Sequence, residues 1–306
     1  MTINPTGTTA FYARARSDMT ALRKSAEKTQ GQLSTGERLE RSSDDPVAAS
    51  RLRTLARADR LAAVDVSNTN RAAGDLGLAD SALTSIADLV TRVRDLSIQA
   101  GSETLNAKQR AAIGIEVGEI HTQLVALANA RDMGGHALFG GATTGEAYGI
   151  DGAGQAVYQG TADAGEIELG EGQTVIRSLT GPEIFTADLN GTPVNLLGIV
   201  KDLSLALAGG VADPAQAARD ALSGLTAGVE NIATNQTVVG ARLVWLDFVA
   251  GRQTDLGEMR AADKAETGGV DIAEAMIRLQ ETMTVLQASQ AGFARLSGLS
   301  LFDHIR

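Results

Sequence analysis

The chain has 306 residues, a formal net charge of −10 and no cysteine. Without cysteine, disulfides and thiol catalysis are excluded. The acidic balance argues against general nucleic-acid binding, because phosphates are neutralised by clustered Lys and Arg. No stretch approaches the roughly 18 apolar residues of a membrane span, and residues 1–10 lack the basic and apolar regions of a cleaved secretory signal.

The core is predicted to consist of small aliphatic side chains, because aromatic residues make up only 3% of the chain. Such a core suits closely packed helices. The charge is uneven: residues 1–43 carry seven basic and four acidic groups, whereas residues 263–306 carry four basic and six acidic groups. Ends of opposite sign can lie side by side without repulsion.

Both ends of the chain have apolar residues at steps of alternately three and four. The N-terminal row consists of Tyr12, Ala15, Met19, Leu22, Ala26, Thr29 and Leu33. The C-terminal row consists of Ile272, Met276, Leu279, Met283, Leu286, Gln290 and Phe293. This spacing keeps a narrow apolar stripe on one side of a helix, and such a stripe needs a partner helix. The two ends are therefore predicted to pair and to form an assembly seam.

A hinge is predicted where the first helix ends. Ser43, Asp44, Asp45 and Pro46 combine good N-cap residues with a proline that is tolerated in a first helical turn. Residues 47–100 lack proline and are predicted to form one long helix, which Gly74 and Gly77 could interrupt. A further helix is predicted over residues 105–131.

The pattern changes between residues 147 and 193. Short apolar runs near residues 155–158, 166–169 and 174–177 predict strands, and Gly170-Glu171-Gly172 suits a hairpin turn. Helices are predicted again over residues 196–207 and 214–264. Gly268-Gly269 is interpreted as a flexible joint before the last helix.

The predicted fold class is mainly α with a small β insertion. Residues 1–43 and 268–306 would form a terminal helical coiled-coil domain. Residues 44–146 and 194–267 would form a helical core domain, and residues 147–193 an outer β-rich domain.

Recognisable catalytic and cofactor motifs are absent from the sequence. The three histidines are far apart, and none has a second ligand at metal spacing. There is no phosphate-binding loop ending in Gly-Lys-Ser/Thr and no G-x-S-x-G nucleophile turn. The sequence therefore predicts neither an enzyme nor a cofactor.

The terminal rows by themselves leave two interpretations open. A thin two-helix seam buries little apolar area, so neighbouring subunits would have to stabilise it, with folding coupled to assembly. Alternatively, the rows belong to a self-contained helical bundle or to a dimeric coiled coil.

Five blocks of sequence resemble the flagellin superfamily, in the right order and over nearly the whole chain. They comprise residues 33–49, 89–100, 135–141, 158–160 with 180–185, and 271–303. The Ser43-Asp44-Asp45-Pro46 segment and the Gly-rich block before the strands resemble, in particular, the hook–filament junction branch. Glu40 and Ser42 depart from that pattern.

This resemblance implies a structural subunit of the bacterial flagellum that links hook to filament by helical self-assembly. It implies type III export without a cleaved signal, a location outside the cell, and no nucleic acid or membrane as partner. The implied partners are further copies in a ring, hook-associated protein 1, flagellin and a flagellar export chaperone. The implied chaperone-binding residues are Leu279, Leu286, Phe293, Leu301 and Phe302. A flagellin filament subunit and a cytosolic coiled-coil interaction module remain the alternatives.

Overall fold

The computed structural model describes the backbone of residues 5–303 and the side chains of residues 10–295. By their contacts these residues form two units. The first unit contains the chain up to residue 60 and from residue 256 onwards, and the second contains residues 61–255. The long helices α2 (Pro46–Ala100) and α6 (Pro214–Gly268) contribute residues to both units.

The first unit brings together the two ends of the chain. Helix α1 (Pro5–Thr35) packs along helix α7 (Ile272–Asp303), in agreement with their 3,4 rows. The early turns of α2 are joined to the last turns of α6 by ion pairs. Asp59 accepts hydrogen bonds from Lys264 and from Arg260 Nε at 2.9 Å, and these two cations hold the pKa of its carboxyl below the usual value.

The second unit has a continuous hydrophobic core. Around it pack α2, α3 (Ala107–Ala128), α5 (Leu196–Leu205) and α6. A capping box between Asn106 and Gln109 starts α3, because each side chain satisfies a backbone N–H of the other residue. The largest fully buried side chains of the core include Leu76, Leu83, Ile86, Leu124, Phe139, Phe185 and Leu225.

Three antiparallel hairpins form the β part of the second unit, each a separate two-stranded sheet. They pair β1 (Tyr148–Ile150) with β2 (Ala156–Tyr158), β3 (Glu166–Gly170) with β4 (Gln173–Ile176), and β5 (Thr186–Leu189) with β6 (Thr192–Asn195). A short helix, α4 (Gly181–Phe185), lies between the second and third hairpins. Isolated hairpins are only marginally stable. The hairpins are therefore stabilised by packing on the core. In one such contact the rings of Tyr148 and Phe185 meet edge to face, with centroids 5.5 Å apart.

A buried charge cluster fastens the β3–β4 hairpin to the helices. Arg177, just after β4, donates hydrogen bonds to Asp75 of α2 at 3.4 Å and to Asp132 in the loop after α3. The side chains of Asp75 and Asp132 are only 8% and 2% exposed. Burial raises the pKa of Asp132, but the backbone N–H of His136 and the charge of Arg177 outweigh it and leave that pKa below its usual value.

The predicted fold class, mainly α with a small β insertion, is confirmed. The hairpin turn at Gly170-Glu171-Gly172 is also confirmed, since all three residues have positive φ. The predicted interruption of α2 does not occur: Gly74 and Gly77 lie inside a continuous helix. The division into three domains stays a prediction, with a terminal domain of residues 1–43 and 268–306, a helical core domain of residues 44–146 and 194–267, and an outer β-rich domain of residues 147–193.

His121 of α3 is predicted to make the second unit sensitive to acid. Its side chain is 6% exposed, and Nε2 has no hydrogen-bond partner among the described residues. Burial lowers the pKa of His121 below the ordinary 6.5, and the nearby charge of Lys201 on α5 lowers it further. The unfolded chain therefore binds a proton more readily than the folded one, so stability is fully present above about pH 6.5 and falls as the pH drops below that value.

The His121→Leu variant tests this expectation, because it replaces the titrating imidazole with an apolar side chain that does not titrate. Urea unfolding of the wild type should show a free energy of unfolding that decreases from pH 7 to pH 5. In the variant this decrease should be smaller. Identical pH dependence in the two proteins would mean that His121 does not contribute to it.

Candidate functional site

The α1 side of the terminal pair follows the predicted row. Ala26 and Thr29 are 7% and 4% exposed and are the best-buried members. The other members are half-buried, namely Tyr12, Ala15, Met19, Leu22 and Leu33. The ring of Tyr12 meets that of Phe293 edge to face, with centroids 5.4 Å apart. The row therefore forms a continuous contact that remains partly open to solvent.

The α7 side places only part of the predicted row against α1. Leu286 is 8% exposed, and Leu279 and Phe293 are half-buried. The remaining buried or half-buried positions are small residues that sequence reasoning missed, namely Ala275, Thr282 and Ser289. These positions also follow a 3,4 spacing with the three large residues. The sequence pattern did not predict them, because they are small and the neighbouring methionines gave a stronger apolar signal.

Three predicted seam residues of α7 lie beside this contact and face solvent. Ile272 is 59% exposed, Met276 60% and Met283 42%. They lie one above another on α7, on the flank of the side that meets α1. We call these three residues the α7 flank row. An assembly role for the predicted seam residues stays a prediction.

Backbone hydrogen bonds tie the segment after α1 to the segment before α7. The N–H of Arg38 donates to the carbonyl of Gly268 at 2.8 Å, and the N–H of Val270 donates to the carbonyl of Gly36 at 3.0 Å. The guanidinium of Arg38 also donates to the carbonyl of Thr267 at 3.1 Å. Gly268 ends α6. The segment interpreted as a flexible joint is thus held by hydrogen bonds.

The predicted hinge residues lie between α1 and α2. Asp45 caps α2, because its Oδ1 accepts the backbone N–H of Ala48 at 3.0 Å. This N–H and the guanidinium of Arg38 hold the pKa of the Asp45 carboxyl below its usual value. The pKa of Asp44 is lowered by Lys28, which donates to it at 3.2 Å. Ser43 and Pro46 are exposed.

The residues implied as a chaperone-binding surface are divided by the structure. Leu279, Leu286 and Phe293 contribute to the side of α7 that meets α1. Leu301 and Phe302 lie outside the residues whose side chains are described. A chaperone that binds the first three would therefore have to compete with α1.

Over the described parts of the chain, no three His, Cys, Asp or Glu side chains are grouped so that they could hold a metal ion. Within the same limits, no helix combines the length and apolar character that crossing a membrane requires.

Comparisons with known proteins agree with this arrangement. The family model described as the bacterial flagellin N-terminal helical region matches residues 7–144. Flagellar hook-associated protein 3 of Escherichia coli (strain K12) is 26% identical over 288 residues, which cover 89% of this chain and 90% of that protein.

Two solved structures share the fold. A flagellar hook-associated protein from Vibrio parahaemolyticus has a TM-score of 0.67 at 22% identity, covering 74% of this chain and all of that one. Flagellar hook-associated protein 3 from Legionella pneumophila has a TM-score of 0.62 at 15% identity, covering 70% of this chain and 98% of that one. The chain is therefore similar, over residues 7–144, to the bacterial flagellin N-terminal helical region and, over 89% of its length, to flagellar hook-associated protein 3.

Proposed function

We propose that this chain is a structural, non-enzymatic subunit of the bacterial flagellum that joins the hook to the filament. Its similarity to flagellar hook-associated protein 3 over 89% of its length supports this proposal. The 3,4 pairing of its two terminal helices also supports it, because a narrow helical seam suits assembly by packing of identical elements.

The observation that carries the proposal is the α7 flank row of Ile272, Met276 and Met283. Large apolar side chains that are 42% to 60% exposed in one row are typical of a surface that a partner covers. The contact between α1 and α7 is itself thin, because most members of the α1 row stay half-exposed. Ordering each residue costs about 1–2 kcal/mol, and a thin contact offsets little of that cost. Neighbouring subunits that cover the α7 flank row would stabilise the pair.

The proposed partners follow from this role. Further copies of the chain would form its own layer, with hook-associated protein 1 on the hook side and flagellin on the filament side. Export would proceed through the flagellar type III apparatus as an unfolded chain, which the lack of disulfides permits. An export chaperone would bind the end of α7 before α1 pairs with it.

Met283→Asp tests the role of the α7 flank row. We expect the purified variant to keep the helical content and unfolding midpoint of the wild type, because Met283 is 42% exposed in the free chain. In cells, a carboxylate that a neighbouring subunit must cover has no compensating charge. The variant should therefore be exported but not incorporated, and motility should be lost.

Thr284→Asp is the matched control. Thr284 is exposed on the side of α7 turned away from α1, and its replacement by Asp adds the same negative charge. It should leave motility intact. A deletion strain should release flagellin monomers and carry no filaments, and full-length filaments on that strain would reject the proposed function. Spontaneous growth of long filaments from the purified protein would favour a flagellin instead.

A further inference from the structure

Methionine thioethers contain all the sulfur of the chain, which has six methionines and no cysteine. The structure describes the side chains of five of these methionines. Met19 is half-buried, whereas the other four are exposed, with Met133 at 96%, Met259 at 68%, Met276 at 60% and Met283 at 42%. An oxidant that attacks sulfur therefore reaches several methionine side chains of the free chain directly.

Two of the four exposed methionines belong to the α7 flank row. Met276 and Met283 are seven residues apart, which places them on the same side of α7, about 10 Å from one another along the helix. Met133 lies in the loop between α3 and β1, and Met259 lies on α6. The chain thus has two pairs of exposed thioethers, and only one pair lies in the surface that we propose is covered by neighbouring subunits.

The reaction of a thioether with hydrogen peroxide transfers one oxygen atom. The sulfur attacks one peroxide oxygen, an S–O bond forms, the O–O bond breaks, and the second oxygen leaves as water after a proton shift. The sulfur loses two electrons, and the peroxide gains them. A flexible apolar side chain thereby becomes a polar sulfoxide, whose oxygen accepts hydrogen bonds.

A sulfoxide in the α7 flank row should be tolerated by the free subunit but not by an assembled one. In the free chain the new oxygen would stay hydrated, because Met276 and Met283 are both exposed. Under a neighbouring subunit that covers the row, the same oxygen would lose its water, which costs free energy. Oxidation is therefore expected to hinder incorporation without unfolding the chain.

We propose that Met276 and Met283 form a redox-sensitive modification site, whose thioethers permit incorporation of the subunit and whose sulfoxides prevent it. This proposal rests on the proposed function, because it assigns a form of regulation to the α7 flank row. The site responds only before incorporation, because a neighbour that covers the row also keeps peroxide away from the sulfur. Methionine sulfoxide reductases convert each sulfoxide epimer back to the thioether, so the modification is reversible.

Sorting of a partly oxidised population of the natural chain tests this proposal without any substitution. Purified protein would be treated with hydrogen peroxide until each exposed methionine is partly oxidised, and then incubated with hooks isolated from the deletion strain. Peptide mass spectrometry would compare the sulfoxide content of the bound and unbound protein. Met133 and Met259 are internal controls, because they are more exposed than Met276 and Met283 and lie outside the α7 flank row.

The bound protein should contain about tenfold less sulfoxide at positions 276 and 283 than the unbound protein. At positions 133 and 259 the two fractions should contain equal amounts. Circular dichroism of the oxidised protein should show the helical content of the untreated protein. Treatment of the unbound fraction with both sulfoxide reductases and a dithiol should restore its binding to hooks.

Two results would overturn the modification site and leave the proposed function standing. One is equal sulfoxide content at positions 276 and 283 in bound and unbound protein. The other is equal depletion at all four positions, which would indicate general oxidative damage. Failure of the untreated protein to bind hooks would reject both the site and the proposed function.

Discussion

Replacing Leu286 by Asp should separate α7 from α1. Leu286 is 8% exposed and is the best-buried large side chain of α7 in this contact. The substitution loses about 1.5–3 kcal/mol of apolar burial and places a carboxylate against the apolar row of α1, where burial of a charge is costly. Since the pair is a single thin seam, this loss exceeds what the remaining half-buried residues can offset.

Hydrogen exchange of the purified variant measures this effect. Amides of α1 and α7 should exchange much faster than in the wild type, whereas the core of the second unit should keep its protection. Cells that carry the variant should lack filaments. Thr284→Asp, two residues away on the opposite side of α7, should leave the exchange unchanged. Unaltered protection of α1 in Leu286→Asp would show that the seam does not hold the pair together.

Leu286→Asp and Met283→Asp are three residues apart and are expected to fail at different steps. The first should already disturb the free subunit, because Leu286 faces α1. The second should disturb only the assembled state, because Met283 belongs to the α7 flank row. If the two variants showed the same defect in the free protein, the distinction between the contact of α7 with α1 and the α7 flank row would be wrong.

Replacing Arg177 by Met should strongly destabilise the second unit. The substitution keeps an apolar stem of similar length but leaves Asp75 and Asp132, with side chains 8% and 2% exposed, without their cation. Breaking a buried ion pair by removing one partner costs about 3–5 kcal/mol. Urea unfolding at pH 7 should show this loss in the free energy of unfolding.

The pH dependence of this loss has a definite sign. In the wild type the pKa of Asp132 lies below its usual value, so its contribution to stability is present above the unfolded pKa of about 3.9 and is lost as the pH falls through the folded value. Without Arg177, one of the groups that lower the pKa of Asp132 is lost, so this pKa should rise towards its unfolded value. The gap in the free energy of unfolding between variant and wild type should therefore stay constant from pH 7 to about pH 5 and narrow as the pH falls below the unfolded pKa of about 3.9.

Arg252→Met provides the control for this comparison. Arg252 pairs with Glu171, whose side chain is 54% exposed, so its removal should change the free energy of unfolding by no more than about 0.5 kcal/mol. A gap between Arg177→Met and the wild type that stays constant also below the unfolded pKa would indicate that lost packing, and not unpaired carboxylates, causes the destabilisation.

The helices were predictable because their signals are local. The absence of proline between residues 47 and 100 and the 3,4 rows are sufficient to predict α2 and the terminal helices. The α1 row was correctly identified, because each of its members is large or lies on a clean repeat. The N-cap before α2 was also predictable, because it is a bond between residues close in sequence, whereas the role of this segment as a hinge stays a prediction.

The short strands were harder to predict. β1, β5 and β6 have three or four residues each, too few for a clear alternation of apolar and polar residues. One local signal was nevertheless present. Asn190-Gly191 joins β5 to β6 with positive φ at both residues, and this dipeptide is a strong indicator of a tight hairpin turn.

The sequence alone determined the helices, the resemblance to the flagellin superfamily and the pairing of the chain ends, since each depends on residue type at fixed spacing. The tertiary structure decided which side of α7 meets α1. Ala275, Thr282 and Ser289 lie on that side because they are small enough to pack closely, and a hydrophobicity pattern does not reveal this. It also decided the partners of Arg177, which lie 102 and 45 residues away along the chain. Contacts across such separations follow from the packing of whole elements, and no local pattern encodes them.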